Sequence, residues 1–221
     1  MDDVLLVTPE EINDSILQFC AEVSPRREPC YVSVKPESYS KINDCFNNVK
    51  KKVDQDGGSI EHGWQIWIWP NIFIEAEFHA VWNNCNNKYI DITKKEDDCD
   101  KILFLPDSRI KYEGYWVDSI RRNISNHKLV DLYIDINECG YLLLTSEAKP
   151  YIHQYELSDD QSIVYKDLSD WGNAIRDMLK DGLSRSSLCP CGSRIKFKKC
   201  CEKRLINIIQ KIKRFSVNKP A

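Results

Sequence analysis

Four thiols fall within thirteen positions near the C-terminal end, in the order Cys189-Pro-Cys191-Gly-Ser, then Cys200-Cys201, with eight residues between Cys191 and Cys200. Four soft thiolates are the ligand set of a closed tetrahedral zinc site, with Zn–S bonds of about 2.3 Å. Pro190 and Gly192 shape a tight knuckle between the first pair and the turn that follows. Arg194, Lys196, Lys198 and Lys199 offset the negative charge that four thiolates place on a divalent ion. Zn is therefore the expected cofactor, with Cys189, Cys191, Cys200 and Cys201 as ligands. The other six cysteines, at 20, 30, 45, 85, 99 and 139, are scattered and need a separate argument.

Among these, Cys45 stands at the start of an expected helix. There the unsatisfied amide donors and the macrodipole favour a thiolate, the nucleophilic form of cysteine. A nearby imidazole would take the thiol proton and later return it to a leaving amine. A third polar group on the other ring nitrogen would fix the tautomer. His79 and Asp91 suit these roles, because strand alternation lets both project to the same side of two adjacent strands. Taken singly, each has a plainer explanation. A cysteine at an apolar helix position is most often a small buried hydrophobe, and a lone histidine or aspartate is commonly a solvated residue.

The elements that would position these groups read as follows. Thr8-Pro9-Glu10-Glu11 carries the signs of a helix start, with a helix running to about Val23. Tyr31 to Val34 is a short strand between prolines. A second helix is capped by Asn43 or Asp44, has Cys45, Phe46, Val49 and Val53 on its apolar side, and ends at Gly57-Gly58. Gly63 to Trp69, Ile72 to Trp82 and Tyr89 to Thr93 are strands, the first two joined by a turn at Pro70-Asn71. Ile72, Ile74, Ala76, Phe78, Ala80 and Trp82 form one face of the second of these, with Glu75 and Glu77 on the wetter face. Lys101 to Leu105, Leu129 to Ile136 and Tyr141 to Thr145 are also read as strands, 115–125 as a short helix, and 167–183 as a helix. Trp64, Trp67, Trp69 and Trp82 are assigned to the core, and His62, His127 and His153 to structural roles. The fold class is α+β, N-terminal helices packed on an antiparallel sheet.

A run from Cys45 at a helix start, through Gly63-Trp64, to Glu-Phe-His-Ala-Val-Trp at 77–82 and Tyr-Ile-Asp-Ile-Thr at 89–93 resembles the transglutaminase-like cysteine enzymes. In that family His-Ala on one strand is followed, after a turn, by an aromatic and Asp-x-Thr on the next. The resemblance covers roughly 43–93 and implies Cys45 as nucleophile, His79 as general acid/base and Asp91 as the group that orients it. Phe46 supplies the aromatic after the nucleophile, while the Gly-x-Cys element found in many members is missing. An oxyanion would be held by the backbone N–H of Cys45 and a side-chain donor, for which Gln18 is proposed. Cys-Pro-Cys-Gly-Ser-Arg-Ile-Lys-Phe-Lys-Lys-Cys-Cys at 189–201 in turn resembles the SEC-C motif, with Arg194-Ile195 where that motif usually has Gly-Lys. That likeness implies a docking module for proteins.

Charge divides the chain in the same way. Residues 184–221 hold eleven basic side chains against Glu202, a net of +10, so an overall −3 leaves an acidic body of −13. The expected domains are 1–183, transglutaminase-like, and 184–221, a zinc-binding basic tail that suits a protein partner or polyanions such as ribosomal RNA. Arg204 to Phe215 reads as a basic helix with Leu205, Ile208, Ile209 and Ile212 as its apolar stripe.

With 42% hydrophobic and 29% charged residues, 8 glycines and 9 prolines, the 221-residue chain is folded rather than collagen-like or low-complexity. No apolar run approaches the roughly 18 residues a membrane span requires. Met1 to Pro9 has two acids and only four consecutive apolar residues, unlike a secretory signal, so cytoplasm is the expected compartment. Reduced cysteines there favour metal or catalysis over disulfides.

The function expected from all of this is a thiol-dependent amide hydrolase or acyltransferase acting on a protein or peptide. Hydrolysis is favoured over crosslinking because no dedicated amine site is evident. The alternative is a non-enzymatic adaptor whose basic zinc tail binds a protein or RNA. A third reading places a second metal at His79 with Glu75 or Glu77 and Cys85.

Overall fold

A long hairpin is the spine of the N-terminal half. In a computed structural model, which describes residues 6–96, 99–151 and 155–217, strand β2 (Ser59–Trp69) pairs antiparallel with β3 (Phe73–Asn83) along its whole length. The β2 partner on the other side is β5 (Lys101–Pro106), which pairs with β1 (Cys30–Val34). β1 runs parallel to β4 (Tyr89–Asp91), and β4 returns to β3. The ring β2-β5-β1-β4-β3 is thus closed into a small barrel, and β6 (Ile120–Asn123) adds to the outer edge of β3. The sheet is mixed rather than purely antiparallel, because β1 and β4 run the same way.

Closure buries both sides of these strands. Val32, Val81, Ile102 and Phe104 form one cluster. The alternate residues Leu103 and Leu105 join Trp64, Ile66, Ile74, Ala76 and Phe78 beneath helix α1 (Asp14–Val23), which contributes Ile16, Phe19, Cys20 and Val23. Helix α2 (Cys45–Asp56) lays Cys45 and Val49 on Ala80 and Ile92. The expected wet face of β3 is therefore buried for most of its length, with Glu77 the exposed exception. At Gly63 a Cβ would lie 2.3 Å from the Leu105 carbonyl oxygen and 2.6 Å from the Phe104 ring, so only glycine lets β2 and β5 approach so closely.

Several elements differ from their sequence reading. α1 begins at Asp14, where the Asn13 side chain accepts the Ile16 N–H at 3.1 Å. Val7 forms a bridge with Ile68 and the Thr8 hydroxyl donates to the Lys101 carbonyl, which keeps Thr8-Pro9 out of the helix. Residues 115–125 form no helix. Arg121 pairs with Glu75 along β6 instead. The two strands read in 129–145 are a single helix, α3 (Lys128–Leu144), capped by His127. Short apolar runs fit either period, and neighbouring helices settle the choice.

The chain divides into two units, Met1–Glu113 with Val117–Ile124, and Gly114–Trp116 with Ser125–Ala221. The second holds α3, α4 (Asp159–Lys180, opened by a Ser158/Gln161 capping box), a short hairpin knuckle, and α5 (Cys201–Val217). The expected boundary at 183/184 lies inside this unit. Phe197 of the knuckle is buried beside Trp171 of α4, and on α5 Lys213 pairs with Asp135 and Glu138 of α3. Arg204 pairs with Asp167 in the same way, so part of the tail's positive charge is neutralised at home. Among the described residues no helix is long and apolar enough to cross a membrane. His153, and Lys219 among the eleven basic side chains of 184–221, lie outside the described residues.

Gly63→Ala is expected to destabilise the protein by about 2–4 kcal/mol, because the obstructing atoms are backbone and a packed ring. Urea denaturation followed by tryptophan fluorescence measures it, and Gly182→Ala, whose Cβ would meet nothing within 4 Å, serves as the comparison at a loop position with positive φ.

Candidate functional site

β3 and β4 bring His79 and Asp91 together. His79 Nε2 lies 3.0 Å from Asp91 Oδ2, and both side chains are buried. Asp91 Oδ1 accepts the Thr93 N–H at 2.9 Å, which fixes the carboxylate across the end of the strand. With Nε2 committed to Asp91, Nδ1 is the ring nitrogen left for another group.

Cys45 is the first residue of α2 and is itself buried. Asp44 at the N-cap makes no side-chain cap bond and instead accepts from Asn47 Nδ2. The thiol packs with Val49, Ala80 and Ile92, close enough to favour charge on His79, but no hydrogen bond joins Sγ to the imidazole. The structure thus joins His79 to Asp91 and leaves Cys45 beside them.

Two residues that sequence reasoning missed complete this cluster. Lys95 Nζ is 2.7 Å from Asp91 Oδ2, the same oxygen that faces His79, and 2.9 Å from Gln65 Oε1. Gln65 is buried and its Nε2 has no partner. Lys95 stands in a loop four residues after Asp91, where no periodicity marks it, and Gln65 reads as an ordinary polar strand position. Burial opposes charge on His79, yet Asp91 and then Cys45 outweigh it and raise the imidazole to about 9, with Lys95 pulling the other way. Burial likewise opposes charge on Asp91, but His79 and Lys95 hold its carboxyl well below the usual carboxylate range.

The remaining candidates find other partners. Gln18 is exposed on α1, away from the face that buries Ile16 and Phe19. Glu75 is buried against Arg121 rather than solvated, and Glu77 accepts from Trp67 Nε1 at 2.8 Å. Trp64 Nε1 donates to Asp107 and Trp82 Nε1 to the Gly57 carbonyl, so these rings serve packing and tethering. His62 stacks near Phe46 and Phe78, and burial followed by Lys111 lowers its pKa. It lines a shallow cleft with Ile60, Glu61, Ser108, Ile110 and Lys111. Cys85 is exposed and joins no cluster with His79. Among the described residues the one group able to hold a metal is the tail cysteines.

In that group the four Sγ atoms of Cys189, Cys191, Cys200 and Cys201 lie within 4.8 Å of one another. Cys191 to Cys200 is 3.5 Å and Cys200 to Cys201 is 3.7 Å. Zn–S bonds of about 2.3 Å give S···S edges of about 3.8 Å in a tetrahedron, so the thiols are already at ligand spacing. The knuckle owes this to a Leu188–Lys196 bridge, a Cys189 N–H bond to the Ile195 carbonyl at 2.8 Å, and Gly192 at φ +81°. Arg185 forms a two-pronged pair with buried Glu202, tying the entry of the motif to the first turn of α5. Arg194 stands at φ +61°, the left-handed region that favours glycine.

The family model for the SEC-C motif matches residues 185–203, a segment that contains all four cysteines and the Arg185–Glu202 pair. No curated protein and no solved structure matches the chain.

Two outcomes follow from this geometry. His79 is raised, so its pairing stabilises the fold below the unfolded value of about 6.5 and is lost as pH climbs through about 9. Asp91 is depressed, so its share is present above about 4 and lost on acidification. Urea melts at pH 6, 7, 8 and 9 are expected to show stability falling by about 1–3 kcal/mol across that range, a slope that His79→Gln flattens. At the knuckle, Arg194→Gly is expected to remove about 1 kcal/mol of backbone strain. It should tighten zinc retention a few-fold in competition against a chromogenic chelator.

Proposed function

We propose that the barrel unit is a cysteine-dependent amide hydrolase or acyltransferase with a transglutaminase-like arrangement, and that the tail cysteines hold zinc in a docking module. The observation that carries the first reading is the buried His79–Asp91 pair at 3.0 Å, with Cys45 at an uncapped helix start beside it. In this scheme His79 Nδ1 takes the Cys45 proton and Sγ attacks the carbonyl carbon of an amide. The oxyanion faces the first-turn amides of α2, which the Asp44 side chain does not cap. The C–N bond then breaks as His79 returns the proton to the departing amine, leaving an acyl-thioester. Water, deprotonated by His79, releases the acid and restores the thiol. Asp91 keeps the ring oriented and supports its charge throughout.

Zinc supplies structure rather than reaction in the second module. The four thiolates and the Arg185–Glu202 pair set its shape. Exposed Arg194, Lys196, Lys198, Lys199 and Lys203 surround it, a surface suited to an acidic protein or nucleic-acid partner.

Iodoacetamide labelling, quantified peptide by peptide between pH 5 and 9, tests the nucleophile. Cys45 should react at pH 6.5 about tenfold faster in the wild type than in His79→Ala. Equal rates at that pH would overturn the reading. Cys200→Ser should lose the bound zinc and leave Cys45 labelling unchanged, which separates the two modules.

A further inference from the structure

Four ionisable side chains meet in the buried site: Cys45 from α2, His79 from β3, Asp91 from β4 and Lys95 from the loop beyond it. Asp91 Oδ2 is shared, 3.0 Å from His79 Nε2 and 2.7 Å from Lys95 Nζ. Other charges nearby have partners of their own, and Asp44, at the partly exposed N-cap beside Cys45, accepts from Asn47 Nδ2. Glu75 is paired with Arg121, Glu77 is exposed and bonded to Trp67, and from β2 the residues opposite His79 and Glu77 are Gly63 and Gln65, neither of them titratable. Gln65 Oε1 accepts from Lys95 and holds the ammonium in place, while the Lys95 side chain is itself only 11% exposed.

We propose that Lys95 is a positioning residue that sets the proton count of the Cys45–His79 pair at one. The argument is charge balance in a buried site, where an uncompensated charge is strongly disfavoured. The Lys95 ammonium cancels the Asp91 carboxylate, so Cys45 and His79 must be neutral as a pair. They are then either thiol and imidazole or thiolate and imidazolium, related by moving one proton from Sγ to Nδ1. Remove the ammonium, and the carboxylate is balanced instead by a protonated His79 beside a protonated, unreactive thiol. The pair would then hold two protons, and both groups would give theirs up at higher pH. Gln65 serves the same end, since its Oε1 limits how far the ammonium can swing.

The inference rests on the cysteine-enzyme reading for its meaning in catalysis, but its first measurement does not. In the full-length protein, His79 is titrated through its imidazole NMR signals, assigned with His79→Gln, and Cys45 labelling is followed against pH. In Lys95→Met the His79 midpoint should rise by about one pH unit, and labelling of Cys45 at pH 6.5 should fall about tenfold. Lys95→Arg, which keeps the charge, should restore both. A loss of thermal stability in Lys95→Met with both midpoints unmoved would make Lys95 merely structural and overturn the proposal. If the His79 midpoint moves while wild-type Cys45 labels like an ordinary thiol, Lys95 acts as proposed and the nucleophile assignment is what fails.

Discussion

A carboxylate removed from water must be met by donors, and Asp91 is fully buried. Its two oxygens are filled by the Thr93 N–H, the His79 imidazole and the Lys95 ammonium. Those three donors come from β3 and from the chain just past β4, so meeting this one group fixes how β4 lies against its neighbour. β4 is only three residues long and pairs with β3 at two positions, too little ladder to define its register alone. The pairs Val34–Asp91 with β1 and His79–Asp91 with β3 hold it from both sides and complete the ring. Closing the barrel and building the polar cluster thus depend on the same residues.

The second unit rests on a different constraint. Its knuckle has few apolar residues of its own, and Phe197 is the side chain that anchors it, fully buried and in contact with Trp171. Four thiols at ligand spacing would repel one another as thiolates, so a divalent ion fits the donor set in number and in distance. The knuckle is continuous with α5, whose Leu205 and Ile209 are buried and whose Lys213 meets acids on α3. A segment that looks like a detachable tail by charge is an integral part of a helical unit.

Much of this was legible in the residues. The hairpin of β2 and β3, the Gly57 stop of α2 and the four-cysteine knuckle follow from local rules: alternation, left-handed glycine and ligand spacing. What misled were short apolar runs and helix-start signals. Leu129 to Ile136 alternates well enough for a strand, yet packing against α4 and α5 makes it helical. Thr8-Pro9-Glu10-Glu11 has every mark of a helix start, but Val7 and Thr8 are drawn into pairing with Ile68 and Lys101, and Asn13 caps instead. Contacts distant along the chain outweighed the local preference in both cases.

By itself the sequence marked the candidate groups: a thiol at a helix start, an imidazole and a carboxylate on neighbouring strands, and four thiols at a metal's spacing. Those choices depend on residue type and on separations of a few positions, which are local quantities. The tertiary structure alone decided that Lys95 and Gln65 enter the same cluster, that Glu75 leaves it for Arg121, and that the basic tail belongs to a larger helical unit. Each of those outcomes depends on which charges are buried together when the barrel closes and the helices pack, and burial is a property of the folded whole.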